Sequence, residues 1–429
     1  MLTLSLSVII LELALQLVSR LSTDVDTLLS PRPRAHTAVR PRWMPSPIHP
    51  DQDANGFRNP SVPETASIVA LGDSNTYGWG VKADEAWPRQ LERLSGQRVY
   101  SLAWGGFGPV HLLALLDRVL AFKPKLIILS FYTGNDFYDS YSFVYQDNQF
   151  PSLRSRDPQV IARLEAIEND PVQRTLEADV QAAIRDFHWI TRGRRDPVPL
   201  EQLSAGRRFV SEHVKLWGVL RALRLLWNEH RQKSAVPFDY LNHEPSWEVL
   251  KQQARAKPDL FSIFDNGRLR TTFTLNYRIY GVDLRDPRIV EGQRIALEAL
   301  RMMHSKSRAA GAKFLVMLLP TKELAFKEQV YNDTHDVPAA YRNFVDSEES
   351  VLRQLEEFLT RNGIDYFAVL PAIRDTLSMA SQTYGMSQDS HLNSRGHRVI
   401  AQQALAQIES MIRTWDGPLP ASLESGAGH

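Results

Sequence analysis

The stretch that most constrains this chain is Ile68-Val69-Ala70-Leu71-Gly72-Asp73-Ser74-Asn75-Thr76-Tyr77-Gly78-Trp79-Gly80-Val81. Four apolar residues that open on two β-branched side chains predict a short strand buried on both faces. Gly72 predicts a sharp turn at the strand's end, because glycine adopts backbone conformations that other residues resist. Ser74 then stands at the strand's carboxyl end, where open α/β sheets place their ligands. A hydroxyl there can face a cleft together with neighbouring N–H groups. That is what a nucleophile needs, since one group attacks while others hold the charge that develops. By themselves these residues equally fit a tight turn in which Ser74 only caps the following segment.

The residues that follow extend the strand into an α/β unit. Helical spacing over 87–95 puts Trp87, Leu91 and Leu94 on one face, with Pro88 tolerated in the first turn. A second strand is predicted over 98–102. Gly105-Gly106-Phe107-Gly108 reads as a loop, and Pro109 opens a helix that runs to Phe122. A third strand over 126–131 leads into Thr133-Gly134-Asn135-Asp136. Strand and helix alternating at this spacing favour a parallel sheet. The alternation lapses over 138–288, which reads as a mostly helical insertion and potential lid. Its Trp189, Trp217, Trp227 and Trp247 either line a substrate site or form the insertion's own small core. Regular pattern returns with a helix over 289–309, a strand over 313–319, a helix over 350–361 ended by Asn362-Gly363, a strand over 364–369 and a last helix over 394–414. The expected fold is α/β: a three-layer α/β/α sandwich on a five-stranded, mostly parallel sheet, plus the insertion. The expected division is 1–22 anchor or signal-like, 23–63 a Pro- and Arg-rich linker, 64–137 and 289–414 the α/β domain, 138–288 the insertion, and 415–429 a disordered tail.

Composition narrows the partners. The 429 residues carry 50 Lys and Arg against 49 Asp and Glu, a net charge of +1 that gives no pull toward nucleic acid. The absence of cysteine excludes disulfides, thiolate metal sites and a cysteine nucleophile, and accords with an oxidising compartment. Residues 2–18 are apolar apart from Thr3, Ser5, Ser7, Glu12 and Gln16. That is slightly short of the roughly 20 residues a bilayer span needs. No basic segment precedes it, and no small-residue cleavage site follows. Residues 1–22 therefore read as a membrane anchor, an export signal or an amphipathic docking helix. The expected location is the cell envelope, anchored or exported, with a cytoplasmic alternative. Glu12 speaks against a lipid-exposed span, and Arg20, Arg32, Arg34, Arg40 and Arg42 favour a cytoplasmic flank.

The second chemical signal is Gln388-Asp389-Ser390-His391-Leu392-Asn393-Ser394-Arg395-Gly396-His397. In an irregular loop the Asp389 carboxylate can hold one ring nitrogen of His391 while the other faces the cleft, which is the orienter and base of a triad. Alone, the pair also fits a helix cap beside a solvated histidine.

Taken together, Gly72-Asp73-Ser74, Gly105-Gly106-Phe107, Gly134-Asn135-Asp136 and Asp389-x-His391 resemble the four signature blocks of the SGNH (GDSL-like) hydrolase family, in that family's order. The resemblance covers about 65–150 and 290–413, and is nearest to the family's envelope esterase and O-acetyltransferase-like members. It implies a flavodoxin-like sheet. It also implies Ser74 as nucleophile, His391 as general base and Asp389 as the residue that sets its tautomer. The backbone N–H groups of Ser74 and Gly106 and the side-chain amide of Asn135 would form the oxyanion hole. The family usually has its Asp one residue earlier, where Gln388 stands here; some of its envelope acetyltransferases and esterases look similar in using the shorter spacing. Asp73 and Asp136 read as turn ties, His397 as a helix-surface residue, and Lys322 has no assigned role. The implied activity is ester hydrolysis through an acyl-enzyme on Ser74, on an acylated carbohydrate or small ester, with no metal or organic cofactor. The alternatives are an O-acyltransferase modifying an envelope polysaccharide and a non-catalytic glycan-binding module.

Overall fold

The computed structural model describes residues 2–21, 43–45, 51–170, parts of 206–220, 245–387 and 389–414. The expected linker over 23–42, Trp189, Trp227, Gln388 and the expected tail over 415–429 lie outside the described residues. The chain divides into two compact units, one of residues 1–44 and 186–243 and the other of 45–185 and 244–429.

The larger unit is built on a five-stranded parallel sheet. Its strands are β1 (Ile68–Gly72), β2 (Val99–Ala103), β3 (Leu126–Tyr132), β6 (Lys313–Leu319) and β7 (Asp365–Ala368), in the spatial order β2-β1-β3-β6-β7. Ile68 lies beside Val99 on one side and Leu126 on the other, and Leu126 in turn beside Lys313. Counted along the chain, this is the 2-1-3-4-5 order of doubly wound sheets. Every residue of β1, β2 and β3 is buried, and so is β6 beyond Lys313. Burial on both faces is why these segments read as unbroken apolar runs. The helices Trp87–Ser95 and Ser394–Ile412 pack against each other, as do Pro109–Ala121, Asp136–Tyr145 and Pro287–Ala309. The sheet and its parallel order are as the alternating pattern predicts.

Three segments differ from expectation. The insertion contains an antiparallel hairpin, β4 (Ser262–Asp265) with β5 (Arg270–Phe273). Strands of four residues are too short for periodicity to register, although Asn266-Gly267 at the turn is a recognised hairpin signal. The helix expected over 350–361 is Ala339–Arg361. Its buried stripe Tyr341, Phe344, Val345, Glu348, Val351, Leu355 and Leu359 has helical spacing throughout. Glu348 interrupts the apolar pattern, which hid the first half. Residues 51–59, expected as linker, pack into this unit. Asn59 pairs with both backbone groups of Ser101 at 2.9 Å, Asp53 accepts from Tyr100 Oη at 2.8 Å, and Phe57 is buried.

The smaller unit holds the helix Leu2–Leu21. Glu12 accepts the backbone N–H groups of Lys215 and Leu216 at 2.8 and 2.7 Å. Among the described residues no helix is long and apolar enough to cross a membrane.

Candidate active site

Ser74 is the first residue of the short helix Ser74–Tyr77, capped by the Asp73 carboxylate, which accepts from Asn75 N–H at 2.8 Å. Gly72 allows that helix to turn so closely over β1. A side chain at 72 would sit 2.8 Å from Thr76 Cβ. Gly78 ends the helix in the left-handed conformation (φ +82), and the N–H groups of Gly78 and Trp79 both bond Ser74 O. Burial pushes the Asp73 carboxyl upward, against the Asn75 hydrogen bonds that favour its anion.

His391 reaches Ser74 from the other end of the chain. Its Nε2 lies 2.8 Å from Ser74 Oγ, while Nδ1 bonds Asp389 Oδ1, and Asp389 Oδ1 also accepts the His391 N–H at 3.1 Å. A proton on Nδ1 leaves the Nε2 lone pair to accept the Ser74 hydroxyl. The loop ends where Asn393 Oδ1 caps the last helix, accepting from Arg395 and Gly396 N–H at 3.0 Å each. One residue, Leu392, separates that cap from His391, so the ring lies outside the helical path.

The three groups that the resemblance implies as oxyanion donors stand at the ends of β1, β2 and β3. Gly106, at φ +78, follows Gly105, whose added Cβ would stand 3.9 Å from Ser74 Cβ, so this turn runs alongside Ser74. Among the described residues no backbone acceptor takes the Gly106 N–H. Ser74 N–H is at a helix start and has no intrahelical acceptor. Asn135 begins the helix Asp136–Tyr145 without spending its side chain on the cap. Asp136 Oδ2 accepts Tyr132 N–H at 3.0 Å and ties this turn, as the sequence suggests. Behind it, the Glu348 carboxyl bonds Thr133 Oγ1 from the end of β3 and Thr321 N–H at 2.8 Å beyond the end of β6; burial pushes it up to about 7.

His397 corrects the sequence reading: it is fully buried rather than on a helix surface. Its Nδ1 accepts Trp87 N–H at 3.2 Å, and burial pushes its pKa down to about 3, so the ring is neutral. The stripe His397, Ile400, Ala401, Ala404 and Ile408 has core-facing spacing that the sequence displays. Of the insertion's tryptophans, Trp247 is buried with its Nε1 donating to Asp265 at 2.9 Å, while Trp217, in the smaller unit, is exposed.

Further residues at the site were not singled out from sequence. Arg278, on the helix Leu275–Val282, donates to Ser390 Oγ and lies 4.9 Å from the Tyr277 ring. Burial opposes its charge, but the phenols Tyr132 and Tyr277 and the carboxylates Glu323 and Asp389 more than restore it. Trp79, half-buried, has its ring 6.3 Å from that of His391, and Trp104 meets Tyr77 edge-on at 5.2 Å.

A parallel sheet in this order, with the four blocks at its carboxyl rim, is the arrangement that the resemblance to SGNH hydrolases implies. No protein-family model matches the chain, and no curated protein does. Among solved structures the chain is similar to a GDSL-like lipase from Bacteroides thetaiotaomicron (8% identity, 80% of this chain and 88% of that one, TM-score 0.32). It is also similar to phospholipase A1 from Streptomyces albidoflavus (11%, 79% and 99%, TM-score 0.33). A third is an acetyl xylan esterase from the rumen bacterium Butyrivibrio proteoclasticus (9%, 82% and 66%, TM-score 0.30). At such TM-scores these likenesses carry no weight, and the chemical reading rests on the chain's own geometry.

Proposed function

We propose that this chain is a serine ester hydrolase of the SGNH type. The observation that carries the reading is the chain of contacts from Ser74 Oγ to His391 Nε2 and from His391 Nδ1 to Asp389, closed across 317 residues of sequence. His391 takes the Ser74 proton as Oγ attacks the acyl carbon, and Asp389 stabilises the imidazolium. The oxyanion is met by the N–H groups of Ser74 and Gly106 and by the Asn135 amide; losing one such donor typically lowers the rate by ~10²–10³. His391 then gives its proton to the leaving alcohol, and water repeats the sequence to release the acid. An acylated carbohydrate is the substrate class we favour. Trp79 and Trp104, half-buried beside the His391 ring and the Gly105-Gly106 turn, offer aromatic faces suited to sugar rings.

Ser74→Ala is expected to abolish turnover of p-nitrophenyl acetate with the fold intact; retained turnover would remove the triad. A sugar hydroxyl in place of water would make the same acyl-enzyme an O-acyltransferase. Incubation with an acyl donor and glycan fragments, read by mass spectrometry for acylated sugar, separates the two. We also propose that the helix Leu2–Leu21 meets a lipid surface, since it exposes Ile10, Leu11, Leu13 and Leu17. Co-sedimentation with lipid vesicles tests this, and a chain that stays in the supernatant overturns it.

A further inference from the structure

Lys322 stands just past the carboxyl end of β6, as the first residue of the short helix Lys322–Ala325, and is wholly buried. Its Nζ donates to the backbone carbonyls of Ser387 at 2.6 Å and of Asp389 at 3.1 Å. Those carbonyls belong to the loop that carries both Asp389 and His391. A second cation holds the same loop, because Arg278 donates to Ser390 Oγ. Inside the loop, Ser387 Oγ accepts Asp389 N–H at 3.3 Å. Burying an ammonium is expensive, and a well-packed apolar residue usually serves stability as well or better. Here the Nζ donates to two carbonyls on either side of position 388, one of them that of Asp389 itself.

From this geometry we infer that Lys322 is a positioning residue for catalysis: its ammonium fixes the backbone carbonyls of Ser387 and Asp389 and so sets the register of Asp389 against His391. The inference rests on the triad reading above. It accounts for how a loop holds an imidazole at 2.8 Å from a serine on a different strand end. Loops are ordinarily less exact than strands or helices in holding catalytic groups. Here the loop borrows the rigidity of β6, through Lys322, and of the helix Leu275–Val282, through Arg278.

The test is Lys322→Met, which keeps the stem and removes the donors. Displacing a catalytic group by about 1 Å costs on the order of 10²-fold in rate. We expect kcat on p-nitrophenyl acetate to fall by about that factor, with KM little changed. The downfield proton resonance of the Asp389–His391 hydrogen bond should broaden or vanish in Lys322→Met and persist in Ser74→Ala. Lys322→Gln, whose amide can still donate to one carbonyl, should recover part of both. A folded Lys322→Met with unchanged kcat and an unchanged resonance overturns the inference. So does loss of folding in both Lys322 variants, which would make the residue purely structural. The resonance reads the loop without turnover. A wild-type protein that fails to hydrolyse esters, or a fully active Ser74→Ala, would end the hydrolase reading separately.

Discussion

Gly281→Ala should damage catalysis without touching a catalytic group. Gly281 lies on the helix Leu275–Val282, where it meets the turn that presents Asn135. A Cβ at this position would stand 2.6 Å from Gly134 C and 3.3 Å from Asn135 N, with Gly134 O nearer still. All three are backbone atoms, so no flexible side chain can yield. Ordinary contact starts at 3.4 Å, and 3.4 less 2.6 requires the two segments to part by at least 0.8 Å. The Asn135 turn is held by Tyr132 N–H on Asp136 at 3.0 Å and by Asp139 N–H on Asn135 O at 2.8 Å. The helix is held by Thr274 N–H on Glu323 at 3.1 Å and by Arg278 on Ser390. Whichever side moves, the Asn135 amide or the His391 loop moves with it. A displacement of this size costs about 10²-fold in rate, or about 2.7 kcal/mol of barrier. Overpacking should lower stability by about 1–3 kcal/mol. The assay pairs kcat and KM on p-nitrophenyl acetate with denaturant unfolding. Gly311→Ala is the control: at φ +80 with open space around it, it should lower stability by about 1 kcal/mol and leave kcat alone. A folded Gly281→Ala with wild-type kcat would refute the reasoning, because it would mean that the Asn135 turn can shift without consequence or that its amide plays no part.

Asn135→Ala should lower kcat by ~10²–10³ and leave KM nearly unchanged, since the bond to the oxyanion forms in the transition state; steady-state kinetics showing only a KM change would argue against it. Asp389→Asn should be nearly as damaging as His391→Ala, because an amide at Asp389 cannot hold the Nδ1–H tautomer as a carboxylate does; a mild Asp389→Asn would transfer the orienting role elsewhere. For His397, burial lowers the folded-state pKa to about 3 from the usual histidine value of 6.5. The unfolded chain therefore takes a proton near 6.5 that the folded chain refuses, and stability falls as pH drops through that window. Urea unfolding between about pH 7.5 and about pH 5 should show wild type losing about 1.4 kcal/mol per pH unit more than His397→Asn below 6.5. Equal slopes would show that the ring is not held neutral.

The local pattern of this chain determines more of the site than of its support. Runs such as Ile68-Val69-Ala70-Leu71 and the residues of β3 and β6 announce buried parallel strands, because burial on both faces removes every polar alternation. The small residues of Gly72-Asp73-Ser74 and Gly134-Asn135-Asp136 mark the turns at their ends, because turn geometry is a property of neighbouring residues. Even the burial of His397 was written in helical spacing, though a histidine among apolar positions is easily taken for a surface residue. What only the tertiary structure decided is which distant groups share a volume. His391 meets Ser74, Lys322 grips the loop at Ser387 and Asp389, Glu348 ties Thr133 to Thr321, and Gly281 presses on Gly134. Partners so far apart along the chain impose no period on the residues beside them, so their signal exists only once the parallel sheet has brought its carboxyl ends to one rim.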